Sequence, residues 1–104
     1  MVENFEDNSP NQRSPEEFYT SLKLKLEENH NFPEDYVFKF IIPSNQEKIT
    51  EILRLYDGMK YTLSNRDSKN GKYTSLTINA FVMDADQVID LYKKVGETEG
   101  VVML

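Results

Sequence analysis

The sequence YTLSNRDSKNGKYTSLTINAFVMDADQVIDLYKKVGETEGVVML, residues 61–104, combines strand and helix patterns with very short connections. Its first strand starts slightly upstream and is predicted over about 59–65. Asn70-Gly71 then predicts a tight hairpin turn, because both residues tolerate the positive φ that such turns require. In the next strand apolar side chains alternate with others, which predicts one buried face. The apolar positions are Leu76, Ile78, Ala80 and Val82.

A capped helix and a closing strand complete this stretch. Asp84 with Gln87 predicts the N-terminus of the helix. Its apolar residues share one helical face and are Val88, Leu91, Tyr92 and Val95. Gly96 and Gly100 bracket a turn, after which residues 101–104 are predicted to form the last strand.

Upstream, a helix, a strand and a second helix precede this stretch. Ser14 and Glu17 form a capping box, so we predict a helix over 15–28. The dense apolar run 36–42 predicts a central strand. Ser44 and Glu47 predict a second capping box for the helix that follows. The apolar face of that helix is formed by Ile49, Ile52, Leu53 and Tyr56.

The predicted fold class is α+β with the ferredoxin-like split βαβ order, βαββαβ. Four antiparallel strands carry two helices on one face, and an extra N-terminal helix comes first. Right-handed crossovers place the first and third strands at the centre of the sheet. We therefore expect a disordered tail over 1–13, an N-terminal helix over 14–30 and a ferredoxin-like, ACT-like domain over 31–104.

The N-terminal helix needs a surface on which to pack, because a lone helix of this length is marginal in water. Its apolar stripe consists of Phe18, Leu22 and Leu26. Our hypothesis is that this stripe packs on its own domain or on a partner subunit. The expected location is the open sheet face, around Val37, Ile41 and Phe81.

Composition excludes several classes of protein. The net charge of −6 argues against general nucleic-acid affinity, since phosphate binding needs clustered cations. The chain has no cysteine, which fits a reducing compartment. No apolar run is long enough for a membrane span, so we expect a cytoplasmic protein. An RNA-binding sheet is a further alternative, but the closely spaced aromatic pair that stacks bases is missing from the third strand.

We predict no catalytic residue, metal site or cofactor, and therefore no enzyme. Asp84, Asp86 and Asp90 imitate the start of a calcium loop, but Ile89 occupies the position that requires glycine. His30 has no cysteine or second histidine with which to share a metal.

The hairpin is the main candidate for a binding site. Residues 59–74 carry four basic side chains and one acidic side chain in an otherwise acidic chain. Positive charge, hydroxyls and a flexible glycine suit an anion or an acidic partner. The candidate residues are Ser64, Arg66, Ser68, Lys69, Gly71, Lys72 and Ser75. Composition alone favours a solvated turn with edge-protecting lysines, and both interpretations stay open.

The segments 68–80 and 32–42 resemble the small bacterial YbeD-like family of unknown function. The residues that carry the resemblance are the turn SKNGK, the strand YTSLTINA and the step Phe32-Pro33 before FKFII. The resemblance covers about 26–104 and implies a ferredoxin-like fold akin to ACT-type regulatory domains, with a suspected role in regulation near lipoate metabolism. It carries over no catalytic residue. The chain departs from the family in its acidic N-terminus, in Pro43 and in Asp84.

The leading functional hypothesis is a non-enzymatic regulatory or adaptor domain that binds a partner protein or self-associates. The alternative is an ACT-like sensor of an amino acid or another small carboxylate. Its ligand would lie at the loop Ser44–Asn45, where a helix N-terminus favours a carboxylate.

Overall fold

The computed structural model describes residues 14–104 as three helices and a four-stranded antiparallel sheet. The predicted disordered tail, residues 1–13, lies outside the described residues. The sheet order β2-β3-β1-β4 confirms that the first and third strands are central. In chain order the elements are α1 Pro15–Asn29, β1 Glu34–Pro43, α2 Gln46–Arg54, β2 Tyr61–Asp67, β3 Tyr73–Val82, α3 Ala85–Val95 and β4 Val102–Met103.

Three strands have bounds that differ from the predicted ones, and backbone hydrogen bonds explain the differences. Strand β1 is longer than 36–42 because it pairs with β3 from Glu34↔Val82 to Pro43↔Tyr73. Strand β2 begins after Met59, whose N–H donates to the Tyr56 carbonyl in a turn. Strand β4 is shorter than 101–104 because only two of its residues pair with β1.

The core lies between the sheet and helices α2 and α3. Successive side chains of a strand point to opposite faces. The even-numbered side chains of β1 and β3 therefore face the helices together. The fully buried ones are Phe38, Phe40, Ile42, Leu76, Ile78, Ala80 and Val82. From helices α2 and α3 and the turn after α2, the core receives Ile52, Tyr56, Val88, Leu91 and Val95, which belong to the predicted apolar faces.

Helix α1 lies beside α3 and does not cover the open sheet face, so the expected location around Val37, Ile41 and Phe81 is wrong. Lys23 Nζ is 3.1 Å from Asp86 Oδ1 of α3. Lys93 Nζ of α3 lies 4.7 Å from the centroid of the Tyr19 ring. These non-local contacts hold α1 on the helix side, where Leu26 is buried in the core.

Two of the three predicted helix caps are confirmed. Ser14 Oγ accepts from the Glu17 N–H at 3.1 Å, and Asp84 Oδ1 accepts from the Gln87 N–H at 2.9 Å. The prediction of Ser44 as the cap of α2 is wrong by one residue. Asn45 Oδ1 accepts from the N–H groups of Glu47 and Lys48 at 2.9 and 3.2 Å.

Two tyrosine hydroxyls lie in or near the core. Tyr92 Oη is 3.1 Å from Tyr36 Oη. Tyr56 is fully buried, and its Oη has no hydrogen-bond partner among the described residues. Burial raises the pKa of Tyr56 well above its usual range, with a smaller contribution from Tyr92. Burial, followed by the hydrogen bond with Tyr36, likewise raises the pKa of Tyr92.

Replacing Tyr56 with Phe should raise the free energy of unfolding by about 1 kcal/mol at pH 7, because the variant no longer buries an unsatisfied hydroxyl. The difference should grow above about pH 10. There the unfolded wild type releases its Tyr56 proton while the folded protein retains it, so wild-type stability falls as pH rises. Urea denaturation of both proteins from pH 7 to 11 measures the two effects.

Tyr92→Phe is the matched control, since it deprives the Tyr36 hydroxyl of its partner and should lower stability. If Tyr56→Phe destabilises the protein as much as Tyr92→Phe does, the Tyr56 hydroxyl has a hydrogen-bond partner after all.

Candidate functional site

The loop that joins β2 to β3 is closed by its own hydrogen bonds. The Gly71 N–H donates to the Ser68 carbonyl at 2.9 Å, and Gly71 has a φ of +72°. The Lys72 N–H donates to Asn70 Oδ1 at 3.0 Å, and the Tyr73 N–H donates to Ser68 Oγ at 3.1 Å. These three N–H groups are occupied, so an anion bound at the loop could not use them.

The structure divides the candidate hairpin residues into two groups. Lys69, Gly71 and Lys72 are exposed in the loop. By contrast, Ser64 pairs with Thr77 and Arg66 pairs with Ser75. Because the neighbouring even-numbered residues of β3 are buried, these two pairs lie on the open face of the sheet.

Three of the candidates line a shallow groove of about 310 Å³ at the hairpin end of the open face. They are Arg66, Ser68 and Ser75. Three further residues line the groove, Ile41, Asp67 and Tyr73, and none of them was among the predicted site residues. The alternation of β3 could have placed Tyr73 on this face, but Ile41 depends on its pairing with Ser75, which the sequence does not show. The guanidinium and the phenol ring could together receive a small ligand with an apolar part, and a carboxylate there would also meet repulsion from the Asp67 carboxylate.

A buried threonine connects the hairpin with the Ser44–Asn45 loop, which the sequence analysis treated as separate candidate sites. Thr74 is almost fully buried, and its Oγ1 donates to Asp67 Oδ1 at 2.9 Å. Its single hydroxyl proton is then committed, so Ser44 Oγ donates to Thr74 Oγ1, at 2.8 Å. The Ser44 N–H also donates to the Lys72 carbonyl at 2.9 Å. The loop after β1 and the hairpin therefore form one hydrogen-bonded unit.

The alternative ligand loop, Ser44–Asn45, is largely occupied by these internal contacts. Asn45 holds the N–H groups of Glu47 and Lys48 that a bound carboxylate would otherwise use. Ser44 is engaged with Thr74. The groove near Arg66 is thus the better place for a small anionic ligand.

Apolar side chains form a strip along the open face. We call Val37, Ile41, Tyr73, Phe81 and Val102 the open-face strip. Four of them are close to half exposed, at 48% for Val37, 51% for Tyr73, 40% for Phe81 and 53% for Val102. None of the three helices that the structure describes covers this strip.

His30 lies at the junction of α1 and β1. Its Nδ1 is 2.6 Å from Glu34 Oε2, and its ring centroid is 5.2 Å from that of Tyr36. Within residues 14–104, no three His, Cys, Asp or Glu side chains are grouped so that they could hold a metal ion. None of the helices that the structure describes is long and apolar enough to cross a membrane.

Residues 27–104 match the family described as protein of unknown function (DUF493). The chain belongs to this family. Curated relatives include the UPF0250 protein VV0902 of Vibrio vulnificus strain YJ016, which is 30% identical over 83 residues, covering 77% of this chain and 90% of the relative. A UPF0250 protein of Yersinia pestis strain Pestoides F is 29% identical over 86 residues, covering 80% and 99%. No solved structure matches the chain.

The DUF493 match confirms the resemblance to a small bacterial family of unknown function. It begins at residue 27, close to the end of α1, and includes all four strands with α2 and α3. The open-face strip, the hairpin and Thr74 therefore lie within the DUF493 part of the chain, whereas most of α1 lies outside it.

Thr74→Val should lower the free energy of unfolding by about 1 kcal/mol, because it removes two hydrogen bonds while keeping the shape of the buried side chain. The loss stays moderate since Ser44 and Asp67 are exposed and can bind water instead. Hydrogen exchange at the Ser44 N–H should also accelerate. Thr77→Val, on the open face of the same strand, is the control and should change neither quantity; equal effects of the two variants would contradict the bridging role of Thr74.

Proposed function

We propose that this DUF493 protein is a non-enzymatic regulatory or adaptor domain that binds a partner protein through the open-face strip. The observation that carries the proposal is the solvent exposure of four large apolar side chains on one sheet face. Contiguous exposed apolar surface rimmed by polar groups is typical of protein interaction sites.

The size of the open face supports a protein as the binding partner. Strands β1 and β3 have 10 residues each, β2 has 7 and β4 has 2. At about 3.3 Å per residue and about 4.8 Å per strand, the face covers roughly 460 Å². A partner that covers it would bury roughly 900 Å² in total, which is the size of a weak or transient interface.

A non-enzymatic role is supported by the polar network at the hairpin. Its hydroxyls run from Ser44 through Thr74 to the carboxylate of Asp67. A hydroxyl nucleophile needs an adjacent general base and access to its substrate. Thr74 has the carboxylate beside it but is only 2% exposed, so we interpret it as a structural bridge between the two exposed ends.

A small-carboxylate sensor is the second candidate, and the groove beside Arg66 favours it. Tyr73 belongs both to this groove and to the open-face strip. Binding of a small ligand and binding of a protein would therefore compete for the same end of the face.

A photo-crosslinking amino acid at position 37 should give a discrete adduct with another protein in the bacterium that produces the chain, because Val37 lies in the middle of the open face. The matched control is position 24, since Leu24 of α1 is at least as exposed, at 57%, but lies on another surface. Denaturing gels and mass spectrometry of both variants measure the result. Adducts of equal yield at both positions, or none at position 37, would contradict partner binding through this face, and the second result would favour the sensor.

A further inference from the structure

We propose that the partner segment is an amphipathic helix whose apolar stripe is interrupted near its middle by one Asp or Glu, which pairs with Lys39. This inference rests on the proposed function and adds the chemistry of the partner to it. The observation behind it is the position of one lysine within the open-face strip.

Lys39 lies on the open face between two apolar residues of the same strand. Side chains at alternate positions share a face, so Val37, Lys39 and Ile41 follow one another along β1. The exposed Lys39 is opposite Thr77 on β3, and the neighbouring open-face residues of β3, Ser75 and Asn79, are neutral. No ion pair within 4 Å joins Lys39 to an acidic side chain among residues 14–104.

A protein that covers the strip must therefore desolvate this ammonium group. Burial of a charge without a partner is costly, whereas an opposite charge across an interface provides affinity and fixes orientation. Among residues 14–104, the face itself offers only the side-chain carboxylate of Asp35, at the far end of β1. We therefore expect the compensating carboxylate to come from the partner.

The shape of the strip fits a single helix. Tyr73 and Phe81 stand eight residues apart on β3, or roughly 26 Å, which is the length of about 17 helical residues. A helix about 10 Å wide covers two strands that are about 4.8 Å apart. The strip lies mainly on two such strands, β1 and β3, while the open-face positions of β2 are polar. These are Thr62, Ser64 and Arg66.

A second copy of the chain fits this surface less well. If two open faces stacked about a two-fold axis through the centre of the strip, Lys39 would approach its own symmetry mate. Like charges in a desolvated interface repel each other. A helix with one acidic residue in its stripe supplies both the apolar contacts and the compensating charge.

Selection from a helix library tests the inference. Each library member has about 18 residues, with stripe positions varied among Leu, Ile, Phe, Met, Glu, Gln and Lys, and is selected on the full-length wild-type protein, on Lys39→Glu and on the control Lys69→Glu. Lys69 is an exposed lysine of the hairpin loop, outside the strip. Helices selected on the wild type and on Lys69→Glu should carry an acidic residue in mid-stripe, and those selected on Lys39→Glu should carry lysine there.

Binding of individual helices then gives the magnitude. A mid-stripe Glu helix should bind the wild type about tenfold more tightly than its Lys counterpart, and Lys39→Glu should reverse the order. The inference is overturned if no helix binds the open face, if selection shows no preference for a charge at mid-stripe, or if Lys39→Glu and the wild type select the same charge. Concentration-dependent dimers of the wild type that crosslink through position 37 would also overturn it, in favour of self-association.

These outcomes separate the inference from the proposed function. If crosslinks at position 37 identify a partner but the selected helices ignore the charge at position 39, the partner binds the face in another way and only the present inference fails. If position 37 gives no adduct in the cell, the proposed function fails even where designed helices bind.

Discussion

The antiparallel pairing of β1 with β3 is the interaction on which the rest of the structure depends. It extends over ten cross-strand pairs and connects the two halves of the chain. Because side chains alternate across a sheet, this one register places the even-numbered residues of both strands on the helix side, where most of them are buried. The same register assembles the odd-numbered residues into an open face. Core and candidate binding surface are therefore two consequences of one pairing.

Most of the fold could be predicted because its signals are local. The alternation in 76–82 and the caps at Ser14 and Asp84 each depend on residues within one turn or strand. The wrong predictions concern features for which a local rule fits two residues equally well, or which depend on contacts between residues far apart in the sequence. Ser44 and Asn45 are both good N-cap residues. Only the hydrogen bond between Ser44 and Thr74 shows that Asn45 is the one that caps α2. The position of α1 depends on contacts with α3, which the α1 stripe alone cannot reveal.

The candidate site was predictable only in part for the same reason. Charge and hydroxyl composition point to the hairpin, where Arg66, Ser68 and Ser75 line one groove. The role of Thr74 and the cross-strand neighbours of Ile41 and Lys39 depend on strand register, which no short motif encodes. Composition also favoured the loop lysines as binding residues, whereas the structure points to the open-face strip. Within residues 14–104 the helices pack on one side of the sheet only, so none of them covers the other side.

Side-chain footprinting of Phe81 and Tyr73 is the most direct test of whether the open face binds another protein. Radical labelling of both rings would be compared between the purified protein and the protein inside the bacterium that produces it, with Phe18 of α1, which is also half exposed, as an internal reference. If a partner covers the open face, all three residues should be labelled strongly after purification, and Phe81 and Tyr73, but not Phe18, should be protected inside the cell. Equal labelling of the two strand residues in both settings would show that the open face stays uncovered, against the proposed partner binding.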